Sequence, residues 1–202
     1  MARMPLEVRE AVPADAKTLI DLWRVCVSGD PGTAEATTMT VVAWQEPSVA
    51  EATEALGLLD TDARRRLCVA TIADQVVGAI QVELAPQTPL HLSSMVIVSE
   101  LHVHPRFRRR GIASSLMSVA VDWAEDAGSS LVYAWAPSAS RDAHRFLTRI
   151  GFGQFATVRA ARVRILRARA AGRASGRSTG RLIAVRRSLL RTHDALARTA
   201  RE

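Results

Sequence analysis

Apolar positions along the chain switch between two spacings, and the switches predict the elements. Residues 6 to 12 read as a short strand that Pro13 ends. After Asp15, a plausible cap, Leu19, Leu22, Trp23 and Cys26 recur at i, i+3, i+4 and i+7 and predict a helix. Residues 28 to 46, with Gly29, Pro31, Gly32 and a run of threonines, read as a long loop. A second helix follows Pro47, with Val49, Ala52, Leu56 and Leu59 on one face. Strands are predicted from Leu67 to Ala73 and from Val76 to Leu84, joined by a tight connection at Asp74-Gln75. A central strand spans 93 to 103, with the β-branched run Val96-Ile97-Val98 at its heart and Pro105 beyond its end. Ile112, Leu116, Val119 and Trp123 predict a helix from 112 to 127, stopped by Gly128. Leu131 to Trp135 is the next strand, closed by Pro137. Ala143, Phe146, Leu147 and Ile150 mark a helix from Ser140 to Ile150, and a last strand is expected near Phe155 to Val163. This order predicts an α/β fold with a mixed sheet covered on both faces.

Composition narrows the picture. The chain has 202 residues, 48% of them apolar, enough for one core plus an appendage. No stretch is long and apolar enough to predict a membrane span, and the first residues lack the apolar segment of a signal peptide, so the cytoplasm is the expected compartment. Two cysteines, Cys26 and Cys68, predict neither a disulfide framework nor a metal site, and both sit in apolar patterns as buried thiols would. Charge is uneven. Residues 159 to 202 carry thirteen arginines against Asp194 and Glu202, a net +11, which leaves −4 of the overall +7 for residues 1 to 158. The expected organisation is therefore a domain over 1–163 and an arginine-rich extension over 164–202, with a Gly/Ser-containing spacer and an amphipathic helix from about 182 to 198.

Candidate chemistry concentrates where the central strand enters the following helix. Arg108, Arg109 and Arg110 precede Gly111, and Ile112, Ala113 and Ser114 open the helix. The first N–H groups of a helix have no partner within it, and its dipole adds positive charge there, so the turn is suited to an anion such as phosphate. Gly111 admits a close ligand, and the small Ala113 and Ser114 keep the next step open. Taken alone, the turn favours a plainer reading, a solvated basic turn capping an ordinary helix.

The turn does not stand alone. Arg108-x-x-Gly111-x-Ala113, after a strand ending Leu-His-Val-His-Pro, resembles the pyrophosphate-binding signature of the GNAT acyltransferase superfamily. Ala143-x-x-Phe146-x-x-x-x-Gly151-Phe152 is similar to that family's later helix beside the pantetheine arm, and Val8 to Asp15 resembles its opening strand and turn. The resemblance spans roughly residues 6 to 160. It implies a mixed, mainly antiparallel sheet with helices on both faces, and acetyl-CoA as co-substrate. It implies further that two parallel strands, ending near Val103 and Trp135, splay apart. Main-chain groups of Leu101 to Val103 would then pair with the pantetheine, and Ser140 and Phe146 would lie on the cofactor side of the later helix.

Acetyl transfer needs a neutral amine, a polarised thioester carbonyl and a proton for the leaving thiolate. Alternation places Glu100, His102 and His104 on one strand face, which makes Glu100 and His102 the candidate bases; the alternative is two ordinary polar residues at a strand end. The resemblance places a tyrosine acid where this chain has Leu147, and an asparagine where it has Ser140. The only tyrosine, Tyr133, belongs to the neighbouring strand. Trp44, Met39, Asp30, Glu35 and Glu46 fall in the segment that the family uses to cover the acceptor.

Two functions follow as expectations. The first is acetyl-CoA-dependent N-acetylation of an amine on a small molecule or a protein. The second is a non-catalytic acyl-CoA-binding protein that recruits a partner through its basic tail. For the tail itself, docking on its own domain or on a second copy, as in a homodimer, is favoured over nucleic acid or an anionic membrane surface, because no aromatic residues interleave its arginines to read bases.

Overall fold

The computed structural model describes residues 5–27, 44–138 and 140–171. They belong to two units, Met1–Gln154 and Phe155–Glu202. The first unit holds a five-stranded sheet whose spatial order follows the chain, β1 (Leu6–Glu10), β2 (Arg65–Ile72), β3 (Gln75–Pro86), β4 (Ser94–Val103) and β5 (Val132–Ala134). The first three pairings are antiparallel and β4 pairs with β5 in parallel, so the sheet is mixed and mainly antiparallel.

Helices cover both faces. Helix α1 (Ala16–Val27) and α2 (Val49–Asp60) bury Leu19, Leu22 and Leu56 against Val69, Val76 and Ala79. On the other face α3 (Ile112–Asp126) presses Ile112, Leu116, Ala120 and Trp123 onto Val77, Ile80, Val82, Val96 and Val98. Helix α4 (Arg141–Arg149) adds Phe146 and Leu147 to that second core. Its last turn closes when Phe152 N–H reaches Leu147 O at 3.0 Å, with Gly151 at φ 101° supplying the left-handed residue this ending needs. Phe152 thereby packs on the same core, a structural reason for the Gly-Phe pair.

Asp15 does not cap α1. It closes a single turn of 3₁₀ helix (Pro13–Asp15), takes the Val12 N–H at 2.9 Å and receives a two-bond fork from Arg9 at 2.7 and 2.8 Å. The β2–β3 hairpin turns on Ala73-Asp74, one residue earlier than the spacing suggests. Both residues have positive φ (50° and 62°), as the tightest turn matching strand twist requires.

The expected strand over 155–163 does not form. Residues 155–162 have no regular structure, and a helix covers 163–171. Its apolar residues Phe155, Val158 and Val163 are spaced by three and five and are exposed, so no strand face collects them. The amphipathic helix expected at 182–198 and most of the expected spacer lie outside the described residues, as do Asp30, Glu35 and Met39.

Candidate active site at the open end of β4

A bulge in β4 prepares the site. Gln81 pairs with Glu100 and Val82 with Val98, which leaves Ser99 as an extra residue. Because strand side chains alternate, one added residue reverses every face beyond it. Val96 and Val98 point into the α3 core, whereas past the bulge it is Leu101 and Val103 that pack there. His102 is delivered to the α1 side, its ring 4.4 Å from that of Trp23. The Ser99 hydroxyl is buried and has no hydrogen-bond partner among the described residues.

The main chain follows the same shift. Val98 O accepts from Trp135 N at 2.9 Å, and β5 goes no further along β4. His104 N donates to Val77 O at 2.9 Å, so alternate residues of the β4 end turn their backbone toward β3. Leu101 and Val103 turn theirs to the side where β5 has departed. That edge is the splay expected between the strands ending near Val103 and Trp135. Val103 O is met there by the Cys26 thiol at 3.7 Å and by Arg108 Nε at 3.5 Å.

Beyond β4, Pro105–Phe107 makes one 3₁₀ turn, and Gly111 serves as the N-cap of α3 at φ 85°. No side chain caps the helix, and its first main-chain bond back is Ser115 N to Gly111 O at 3.0 Å. The N–H groups of Ile112, Ala113 and Ser114 therefore point out of the helix end. A Cβ added at Gly111 would meet nothing within 4 Å, so the ground above the turn is open. Ile112 contributes only its main chain, because its side chain is 2% exposed in the core. Arg108, Arg109 and Arg110 are all exposed, and Arg110 lies over the Phe107 ring at 5.3 Å.

Gly78 brings the two halves together. A Cβ there would stand 3.0 Å from His102 O and 3.1 Å from side-chain atoms of both Ile112 and Leu116. Its absence lets the first turn of α3 settle directly on the end of β4. Sequence reasoning passed over Gly78, whose signal was a lone glycine within an apolar strand.

On the α1 side, His102 Nε2 lies 2.6 Å from Glu100 Oε2, with side-chain exposures of 16% and 45%. Burial opposes charge on the ring, but hydrogen bonding to Cys26 and to Glu100, with the Glu100 charge, prevails and raises the His102 pKa to about 9. At neutral pH the His102 ring is therefore an imidazolium. His104 does not join it, because the following turn recruits its Nδ1 as acceptor for Arg106 N at 3.2 Å. Cys26 is only partly buried, unlike Cys68, which is 4% exposed.

The remaining predicted residues have structural partners. Ser140 Oγ caps α4 by accepting from Ala143 N at 3.3 Å. Phe146 packs on the α3-side core with Arg149 over its ring at 5.7 Å, and Leu147 packs beside it. Tyr133 stands opposite Ile97 in β5. Glu46 is held by Arg24 in a fork of 2.6 and 2.7 Å, and Arg24 also reaches Asp21. That bridge ties the chain entering α2 to α1. Two cavities of about 280 Å³ each lie away from this end, one along Glu10, Leu59 and Arg66, the other along Lys17, Arg24 and Val49. The second includes the start of α2, where Ser48 Oγ already caps the helix by accepting from Glu51 N at 3.1 Å, and neither is lined by the open end of β4.

Among the described residues no cluster of His, Cys, Asp and Glu has metal-binding geometry, and no helix is long and apolar enough to cross a membrane. The family model described as acetyltransferase (GNAT) family matches residues 33–152. Solved structures share the fold at low identity. A transcriptional regulator from Bacillus halodurans C-125 is 20% identical with a TM-score of 0.64, over 78% of this chain and 99% of that one. The aminoglycoside N-acetyltransferase AAC(6')-Iy in complex with CoA is 14% identical with a TM-score of 0.62, over 81% and 97%. A ribosomal-protein-alanine N-acetyltransferase from Brucella melitensis biovar Abortus 2308 is 19% identical with a TM-score of 0.60, over 78% and 99%. In a comparison with curated proteins by sequence, none matches.

Proposed function

The chain belongs to the GNAT acetyltransferase family, and we propose that it moves an acetyl group from acetyl-CoA to an amine of a small molecule or protein. One observation carries the reading. The edge of β4 left by β5 runs straight to an uncapped helix N-terminus, so amide-pairing groups and an anion site lie in line. The residues fit such a co-substrate. Main-chain groups of Leu101 and Val103 would hold the amides of its arm as a strand partner would. The N–H groups of Ile112, Ala113 and Ser114 would take its pyrophosphate, with the guanidinium groups of Arg108, Arg109 and Arg110 adding attraction. Acetyl-CoA supplies the activated acetyl group when bound.

His102 and Glu100 would manage the proton. An acceptor amine arrives protonated and must lose a proton before it can attack. The two side chains stand on the α1 face next to the strand edge, where His102 can receive that proton in its neutral form, which becomes populated as pH rises toward about 9. Leu147 supports the rival, non-catalytic reading, since it is committed to the core and cannot donate a proton. The His102–Glu100 contact favours the enzyme, because it puts a proton-holding pair beside the strand edge, on the sheet face opposite Leu147.

Two measurements test the proposal. Acetyl-CoA should raise the Tm by binding the folded state alone. A panel of amine acceptors, read as free CoA released, should then identify a substrate. A Tm rise with no release for any amine would instead support the acyl-CoA-binding protein.

A further inference from the structure

Helix α1 carries Trp23 over the end of β4, where its indole meets the His102 ring with centroids 4.4 Å apart and planes tilted by 53°. Trp23 is partly buried and packs against the core cluster that holds Leu19 and Leu22 of the same helix. Core filling alone accounts for a large apolar group at this point. It does not account for a ring set against an imidazole that a second residue also holds, Glu100 Oε2 at 2.6 Å from Nε2.

The geometry gives the indole a task. Glu100 and His102 are two residues apart on one strand face, roughly 6.5 Å along it, so the ring must lean back to bring Nε2 to the carboxyl group. A histidine side chain has staggered choices at its first torsion and a broad second torsion at the ring. With an indole 4.4 Å away, a swing of the ring toward α1 runs into Trp23. An aromatic ring at this range also attracts an imidazolium.

We infer that Trp23 is a positioning residue for acetyl transfer: its indole fixes the His102 ring against Glu100 and keeps the proton-holding pair assembled beside the strand edge. The inference rests on the acetyl-CoA reading above and deepens it, since it names what holds that pair in place. Trp23 acts through His102 and needs no contact with the reacting atoms. Among the described residues, the titratable groups bearing on the ring are Glu100 from β4 and Cys26 from α1. Ala79, opposite His102 on β3, carries no charge.

The test reads His102 directly and needs no acceptor. The full chain, carrying isotope-labelled histidine, is titrated by NMR, and the His102 signal is the one that His102→Gln removes. In the wild type it should titrate at about 9, with ring protons displaced by the indole's ring current and one ring nitrogen showing a strong hydrogen bond. Trp23→Leu keeps an apolar group over the sheet but removes the flat stop. Its midpoint should fall by about one pH unit, a tenfold weaker hold on the proton, and the hydrogen-bond signature should fade. Trp23→Phe should restore most of both. Each variant should keep its Tm rise with acetyl-CoA, because the strand edge and the end of α3 are untouched. A Trp23 that only fills the core would lower the Tm of both variants and leave the His102 midpoint and nitrogen signature unmoved, which overturns the inference. Wild-type ring protons at the positions of free histidine overturn it as well, whether or not the variants fold. A wild-type chain with no Tm response to acetyl-CoA would remove the acetyl-CoA reading and with it the role in acetyl transfer. That failure is told apart from the others because the His102 signals are read without acetyl-CoA.

Discussion

His102 Nε2 sits 2.6 Å from Glu100 Oε2, across a sheet face that neither would occupy without the extra residue at Ser99. Burial opposes a charge on the ring, but the Cys26 and Glu100 side chains together make the fold bind a proton more tightly than the unfolded chain does. His102 titrates near 9 when folded against about 6.5 when unfolded. Its contribution to stability is therefore fully present below pH 6.5 and is lost as pH rises through 9, a change of up to about 3 kcal/mol. Urea unfolding at pH 6 and pH 10 should show this fall, and Glu100→Gln should remove part of it, because Cys26 also raises the His102 pKa. An equal slope in wild type and variant would mean that Glu100 does not hold the proton.

Turnover should follow the same group. Once an acceptor is known, kcat/KM should climb with pH toward about 9, because the base is protonated below that point. In Glu100→Gln the midpoint should move toward that of free imidazole. A pH profile unchanged by both Glu100→Gln and His102→Ala would remove the pair from the reaction.

Gly111 is the position at which the anion site can be closed. Gly111→Asp adds a carboxylate at the uncapped end of α3 and places a side chain at φ 85°, a strain of about 1–2 kcal/mol. The variant should melt earlier and lose the Tm rise with acetyl-CoA. Ser114→Glu carries the charge without that strain and should weaken the response with little change in the unliganded Tm. A full response in both variants would place the pyrophosphate elsewhere.

Gly78→Ala tests the seating of α3. The new methyl meets a backbone oxygen at 3.0 Å and two core side chains at 3.1 Å, and Ile112 and Leu116 have no room to yield. The expected loss is about 1–3 kcal/mol by overpacking. Because the displaced turn is also the proposed anion site, acetyl-CoA affinity should fall with it. Chemical denaturation and the ligand-induced Tm shift measure the two effects separately.

Asp15 anchors the opening turn through Arg9 and the Val12 N–H. The hydrogen bond from Arg9 lowers its pKa against the opposing effect of burial, with the Val12 N–H assisting. A depressed carboxyl contributes stability above its unfolded pKa, near 3.9, and loses it as pH falls through the folded value. Asp15→Ala should cost about 1–3 kcal/mol at neutral pH and blunt the acid dependence of the midpoint. Unfolding curves at pH 7 and pH 3 provide the check.

Much of this molecule is legible from spacing alone, since periodicity and breakers act within a few residues of each other. The run Ile112, Leu116 and Trp123 marks α3, the prolines and glycines mark most ends, and Gly111 after the three arginines marks where α3 begins. The order of elements predicted the mixed sheet, the family resemblance supplied the splay of the strands ending near Val103 and Trp135, and the strand pairing agrees with both. Other features depend on partners far away in the chain. Nothing near Ser99 announces a bulge, because register is settled by the pairing of Gln81 and Val82 across the hairpin. Alternation put His104 beside His102, but the turn at Pro105 had a nearer use for its ring nitrogen. The strand expected over 155–163 had no apolar face to bring to the sheet. Cys26 looked like one more apolar position on a helix. Only the packing of α1 over the end of β4 brings its thiol to Val103 O, because a contact between residues so distant in sequence belongs to the fold and not to either segment.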